Sequence, residues 1–180
     1  MGDHRPRTAA LTRGLPPPIL IGLGANLGSR RSGAPQRTLA AALAALAAAG
    51  VVIIARSGWY RSAPVPASGQ PWFVNAVASV DTARGARGLL ALMQAVERRL
   101  GRVQGVCNAP RVVDLDLLDY RGKQIRSPDL ILPHPRLHQR RFVLEPLAEI
   151  APLWRHRVFG LTAPELLARL GDEQSVERFN

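Results

Sequence analysis

Ala109-Pro110-Arg111-Val112-Val113-Asp114-Leu115-Asp116-Leu117-Leu118-Asp119-Tyr120 plants two aspartates, two residues apart, in an otherwise apolar run. Its valines and leucines favour an extended strand. Alternate side chains of a strand share a face, so Asp114 and Asp116 point together, beside Val112 and Leu118. Val113, Leu115 and Leu117 point the opposite way, into a core, and strict alternation sends Asp119 with them. A rise of about 3.4 Å per residue sets the two carboxylates roughly 7 Å apart. That spacing suits hard cations bridged by phosphate oxygens. The same pattern also fits the solvated face of an edge strand, and local sequence does not separate the two.

Upstream, Ile19-Leu20-Ile21-Gly22-Leu23-Gly24 reads as a first buried strand running into the turn Ala25-Asn26-Leu27-Gly28. Pro35 to Ala49 has a helical repeat at Leu39, Leu43 and Leu46, with Gly50 as the residue that stops it. Val51 to Arg56 is β-branched and is expected to continue towards Trp59-Tyr60. A proline-rich loop over 61–71 precedes a strand over Phe73 to Val80. Thr82 to Leu100 is an amphipathic helix with the stripe Leu89, Leu92, Met93, Val96 and Leu100, and Gln94 and Glu97 lie off that stripe one turn apart. After the aspartate strand come short strands near Ile125 and Leu130 to Leu132. A helix over Gln139 to Ile150 is expected to be bent or interrupted by Pro146. A last helix over Thr162 to Leu170 opens on a capping box, with Thr162 as N-cap and Glu165 three residues on. The order β-α-β-β-α-β with C-terminal helical additions predicts an α+β fold, a ferredoxin-like sandwich whose helices cover one sheet face and leave the other for a site.

The chain has 180 residues and is 47% hydrophobic, which suits one globular domain over 19–180 behind a flexible basic leader, 1–18. Its net charge is +11, and Lys123 is the only lysine among 24 basic side chains. Arginine is the fork-shaped donor for phosphate, so the balance favours anionic partners, nucleotide or nucleic acid. One cysteine, Cys107, allows no internal disulfide and fits a reducing, cytoplasmic setting. The uncharged run Leu39 to Ala55 approaches membrane-span length, but it is alanine-rich and Gly50 divides it into two patterns.

Four separated motifs resemble the 6-hydroxymethyl-7,8-dihydropterin pyrophosphokinase family: Ile21-Gly22-Leu23-Gly24-Ala25-Asn26-Leu27-Gly28; Tyr60-Arg61-Ser62-Ala63-Pro64 with Gln70-Pro71-Trp72-Phe73-Val74-Asn75-Ala76; Ala109-Pro110-Arg111 with Asp114-Leu115-Asp116; and Leu132-Pro133-His134-Pro135-Arg136. The resemblance spans roughly residues 19–170. It implies transfer of pyrophosphate from ATP to the pterin's hydroxymethyl group, with release of AMP. By resemblance, Asp114 and Asp116 hold Mg²⁺, two ions being expected, and form the catalytic centre with Arg111 and Arg140. ATP is assigned to Gln94, Glu97, Arg111, His134 and Arg140. The pterin is assigned to Ser62, Ala63, Val65, Phe73, Asn75 and Phe142, a flat ligand needing stacking aromatics and a fixed amide. A monomer with small-molecule partners only is implied as well.

The chain departs from the family where Arg-Trp-Gly usually precedes Pro-Arg: here Cys107-Asn108-Ala109 stand instead, and Gln104 replaces a common arginine. The first motif has Ala25 where serine is more usual. These changes touch a lid rather than the aspartate pair, with Arg102 a candidate for the missing charge. A non-catalytic pterin-binding paralogue therefore stays open. So does a basic RNA-binding module on the same scaffold, although aromatic content is only 5% and no strand carries the basic-Gly-aromatic pattern of an RNA-reading sheet.

Overall fold

The structure, a computed structural model, describes residues 16–29, 33–102 and 110–179. Expectations for the leader up to residue 15 and for the loop over 103–109, Cys107 included, lie outside those residues.

The fold is a mixed α/β arrangement around an antiparallel sheet. In chain order the strands are β1 (Ile19–Ala25), β2 (Val52–Arg56), β3 (Trp59–Ser62), β4 (Phe73–Asp81), β5 (Asp114–Tyr120), β6 (Ile125–Ser127), β7 (Leu130–Leu132) and β8 (Val176–Phe179). The helices are α1 (Pro35–Ala48), α2 (Ala86–Arg99), α3 (Arg141–Ile150) and α4 (Ala163–Leu167). The main sheet runs β5-β1-β4-β3-β8, with β2 on the far half of β4, while β6 and β7 form a separate hairpin. Every strand pairing among the described residues is antiparallel.

Alternation along β1 organises both faces. Ile19, Ile21, Leu23 and Ala25 enter one core with Leu39, Leu43 and Leu46 of α1 and Leu89, Met93 and Val96 of α2. Each of the larger side chains among these contributes about 1.5–3 kcal/mol by leaving water. Leu20, on the opposite face, joins a second core with Val77, Leu118, Leu144 and Leu147. The expectation of a bare second face is therefore corrected. The C-terminal helices have an apolar stripe of their own and bury it there, so only the end of the sheet beyond Leu20 remains open.

Local departures have local causes. The expected run from Val51 through Tyr60 breaks at Ser57, whose N–H and Oγ bond the carbonyl and N–H of Val77 at 3.0 and 3.1 Å. β4 stays continuous while its partner splits. The second helix starts after Thr82 because the Thr82 hydroxyl accepts from Arg84 N–H at 3.2 Å, making a turn instead. Pro146 sits inside α3 without ending it. The capping box of Thr162 and Glu165 is present, although α4 ends at Leu167. β8 was not expected; it pairs with β3, Trp59 opposite Phe179. The Leu39–Ala55 run is divided between α1 and β2, Gly50 turning the chain at φ 86°. No helix among the described residues is long and apolar enough to cross a membrane.

Candidate active site

Beyond Leu20, the open face of β1 carries only Gly22 and Gly24. Gly24 lies opposite Asn75 on one side and Asp114 on the other; Gly22 lies opposite Val77 and Asp116. Three neighbouring strands thus present an amide, a bare backbone and a carboxylate in one row. A Cβ added at Gly24 would stand 3.5 Å from Asn75 Oδ1 and 3.9 Å from Asp114 Cβ. At Gly22 it would stand 3.4 Å from Leu118. The two glycines are the floor of a cleft.

All six residues assigned to a pterin by resemblance (Ser62, Ala63, Val65, Phe73, Asn75, Phe142) line that cleft. So do Arg111, Asp114, Asp116 and Arg140. Asn75 is 4% exposed, and its Nδ2 donates to Ser62 Oγ at 2.9 Å. The amide is held by its neighbour, which fixes which atom faces the cleft. Ala63 N–H is tied to the carbonyl of Ser175 at 3.3 Å, so the C-terminal segment braces this wall.

The opposite wall is electrostatic. Arg111 Nη1 bonds Asp114 Oδ2, and Arg102 Nη1 lies 2.8 Å from Asp114 Oδ1. Arg140 Nη1 lies 3.2 Å from Asp116 Oδ2, and its guanidinium stands 5.5 Å from the Phe142 ring centre. Burial, and then the like charge of Asp116, push the Asp114 carboxyl above its ordinary range; Arg111 and Arg102 oppose the shift. Burial pulls Arg140 down, with Asp116 opposing. Charges of both signs are therefore packed in partly desolvated surroundings, where their mutual attraction is stronger than in water.

Three supports hold this wall. The first is Asn26, 4% exposed. Its Oδ1 accepts from Arg111 N–H at 2.7 Å, and its own N–H donates to the Arg111 carbonyl at 2.9 Å. Its Nδ2 donates to Gln70 Oε1 at 3.1 Å and Pro71 O at 3.3 Å, joining three loops. In the sequence the signal for this brace is Asn26 itself, a carboxamide beside a buried strand. The second support is a bulge in β5. Leu20 pairs with Asp119 but Ile21 with Leu117, so Leu118 is an extra residue. The Leu118 carbonyl accepts from His134 N–H at 2.8 Å. The bulge also corrects the expected orientation of Asp119. It turns towards the second core, fully buried, and accepts from Trp154 Nε1 at 2.9 Å and Gly122 N–H at 2.7 Å. The third is Glu97. Lying off the leucine stripe does not place it in solvent: it is 4% exposed, accepts from Leu115 N–H at 2.7 Å and pairs with Arg102.

Gln94 is exposed on α2. Gln94, Glu97 and His134 are not on the cleft wall. His134 is close enough to Asp116 for that charge to raise its pKa, while burial, the larger effect, lowers it.

The donor set bears on metal binding. Two carboxylates share the face, and no group of three or more His, Cys, Asp or Glu side chains that could hold a metal occurs among the described residues. A pair of carboxylates fits Mg²⁺, a hard cation held by one or two carboxylates together with phosphate oxygens.

Comparison with known proteins gives the same frame. Residues 20–152 match the family described as 7,8-dihydro-6-hydroxymethylpterin-pyrophosphokinase (HPPK). The chain is 42% identical over 159 residues to the 2-amino-4-hydroxy-6-hydroxymethyldihydropteridine pyrophosphokinase of Methylorubrum extorquens, covering 88% of this chain and 96% of that one. It is 38% identical over 151 residues to the same-named protein of Pseudomonas aeruginosa, covering 83% and 90%. Among solved structures it resembles Plasmodium falciparum HPPK-DHPS, with a TM-score of 0.64 at 12% identity, over 84% of this chain and 42% of that one. That likeness concerns the fold, and the chain spans about two fifths of the solved chain. By sequence match and by relatives of similar length, the chain belongs to the 7,8-dihydro-6-hydroxymethylpterin-pyrophosphokinase family.

Proposed function

We propose that the chain transfers the β,γ-diphosphoryl unit of ATP to the hydroxymethyl oxygen of 6-hydroxymethyl-7,8-dihydropterin, forming the pterin diphosphate and AMP, a step of folate biosynthesis. The observation that carries this reading is the row Asn75–Gly24–Asp114, with Asp116 one step along. It puts a fixed amide for a heterocycle edge beside carboxylates that suit phosphate-bound Mg²⁺. The strand order β5-β1-β4-β3 supports a ferredoxin-like reading of the sheet.

In this reaction the hydroxymethyl oxygen attacks the β-phosphorus, the bond from that phosphorus to the α-phosphate oxygen breaks, and AMP leaves with that oxygen. The hydroxyl proton goes to solvent or to a nearby base. Such chemistry needs positioning and charge neutralisation more than covalent help. Asn75, backed by Ser62, reads the pterin edge, and Phe73 and Phe142 bound its faces. The walls at Ala63 and Val65 close the pocket. Arg111 and Arg140 are guanidinium donors for the triphosphate, and His134, anchored on Leu118, adds a nitrogen beside Asp116. Asp114 and Asp116 would hold Mg²⁺, which would supply neutralisation of phosphate charge and activation of the attacking hydroxyl. The exposed side chain of Gln94 is left to solvent or to the outer edge of the nucleotide. The test is AMP release from ATP, Mg²⁺ and the hydroxymethyl dihydropterin, with pterin diphosphate identified by mass. Hydrolysis of ATP without pterin diphosphate would overturn the reading.

A further inference from the structure

We propose that Glu97 is a positioning residue: it aligns the Asp114–Asp116 pair through Arg102 and the Leu115 peptide, and does not contact the nucleotide. The proposal rests on the pyrophosphoryl-transfer reading and assigns Glu97 a different part in it from the ATP contact implied by resemblance.

Geometry carries the argument. Glu97 lies near the C-terminal end of α2, 4% exposed, next to Val96 of the main core. It is not on the cleft wall. Its Oε1 takes two donors. One is the Leu115 N–H at 2.7 Å, the peptide between the two aspartates. The other is Arg102 Nη1, which also lies 2.8 Å from Asp114 Oδ1. A closed ring results, running from Glu97 to Arg102, on to Asp114 and back along the backbone to Leu115. Among the described residues, β5 is an edge of the main sheet, paired there with β1 alone. α2 packs against it through Leu89, Met93 and Val96, and Glu97 adds a bond to its Leu115 N–H. Asp114 is thereby held by one oxygen through Arg102 and by the other through Arg111. Removing Glu97 takes away one of the two carboxylates that fix Arg102 and loosens the peptide that spaces the aspartates. A shift of under an ångström in such a pair is enough to lower turnover by an order of magnitude or more.

A core carboxylate with a purely structural role would act on stability alone. A nucleotide contact would act on ATP affinity. The proposal predicts a different pattern. Glu97→Gln keeps an acceptor for Leu115 N–H and loses the charge facing Arg102, so kcat falls about 10-fold; Glu97→Ala falls about 100-fold. The Kd for a non-hydrolysable ATP analogue, measured by calorimetry with Mg²⁺ excluded, stays within about twofold in both. In an Arg102→Ala background, Glu97→Gln has little further effect on kcat, because both act on Asp114. Urea denaturation of Glu97→Gln shows the stability of the parent, which separates turnover from folding. A tenfold weaker analogue Kd with unchanged kcat would overturn the proposal, as would independent, multiplying losses in the double variant. Failure of the underlying reaction is distinct: the parent protein itself would then release no AMP, and the proposal would fall with it.

Discussion

Gly24→Ala isolates the cleft floor from the fold. The substitution adds one methyl group to β1, whose backbone at Gly24 is not in the left-handed region. The new carbon would meet Asn75 Oδ1 at 3.5 Å and Asp114 Cβ at 3.9 Å, ordinary van der Waals distances. Nothing in the unliganded protein has to move. Replacing a strand glycine by alanine also removes an entropic cost of about 0.5–1 kcal/mol. Stability should therefore be unchanged or slightly raised. Binding should not be: the methyl projects between the amide and the carboxylate, where the proposed reading seats the flat acceptor. Overpacking by one methylene costs about 1–3 kcal/mol, or roughly 5- to 150-fold in kcat/KM for the pterin. The measurements are urea denaturation and AMP release over a range of pterin concentrations. A variant with parental kcat/KM would refute the placement of the acceptor on Gly24. Loss of activity in step with loss of stability would refute the claim that the floor is open space.

Asp114→Asn and Asp116→Asn should each cut Mg²⁺-dependent turnover by about two orders of magnitude or more, with folding retained, because each removes a charge worth several kcal/mol at the phosphates; near-parental AMP release in either would show the pair to be misassigned. Asn75→Ala should weaken pterin binding about tenfold and leave ATP binding within about twofold, since its amide, tied to Ser62, is the proposed reader of the pterin edge. Calorimetry showing equal losses for both ligands would contradict that role. His156 supplies a pH prediction. It is 3% exposed, its Nδ1 accepts from Val158 N–H at 3.2 Å, and burial, then the nearby His138, push its pKa from 6.5 down to about 4. Between those values the unfolded chain takes a proton that the native imidazole refuses. Its contribution is present above pH 6.5 and is lost as pH falls towards about 4, at most about 3 kcal/mol. Denaturation curves at pH 7.5 and 4 should diverge by that amount between the parent and His156→Phe; parallel curves would count against it.

Much of the site was legible because its signals were local. Alternation put Asp114 and Asp116 on one face, and the residues around each motif supplied the rest of the resemblance. The capping box at Thr162 is likewise readable, since it spans only four residues. What failed depended on partners distant in sequence. Position off the leucine stripe marks Glu97 as a residue that can face a site beside Gln94; α2 packs against β5, and the Leu115 N–H and Arg102 stabilise a buried carboxylate there. Asp119 was placed by strict period two, but the bulge at Leu118 turns it towards Trp154.

By itself, then, the sequence determined which chemistry the chain can carry: paired carboxylates, an arginine-rich complement and an amide among apolar residues, each a property of a residue and its near neighbours. Only the tertiary structure decided where that chemistry meets. Antiparallel register sets Asn75, Gly24 and Asp114 in one row from strands up to 90 residues apart in the chain. The C-terminal helices close the rest of that face and leave one open end. Register and burial are sums over many distant contacts, and no single segment encodes them.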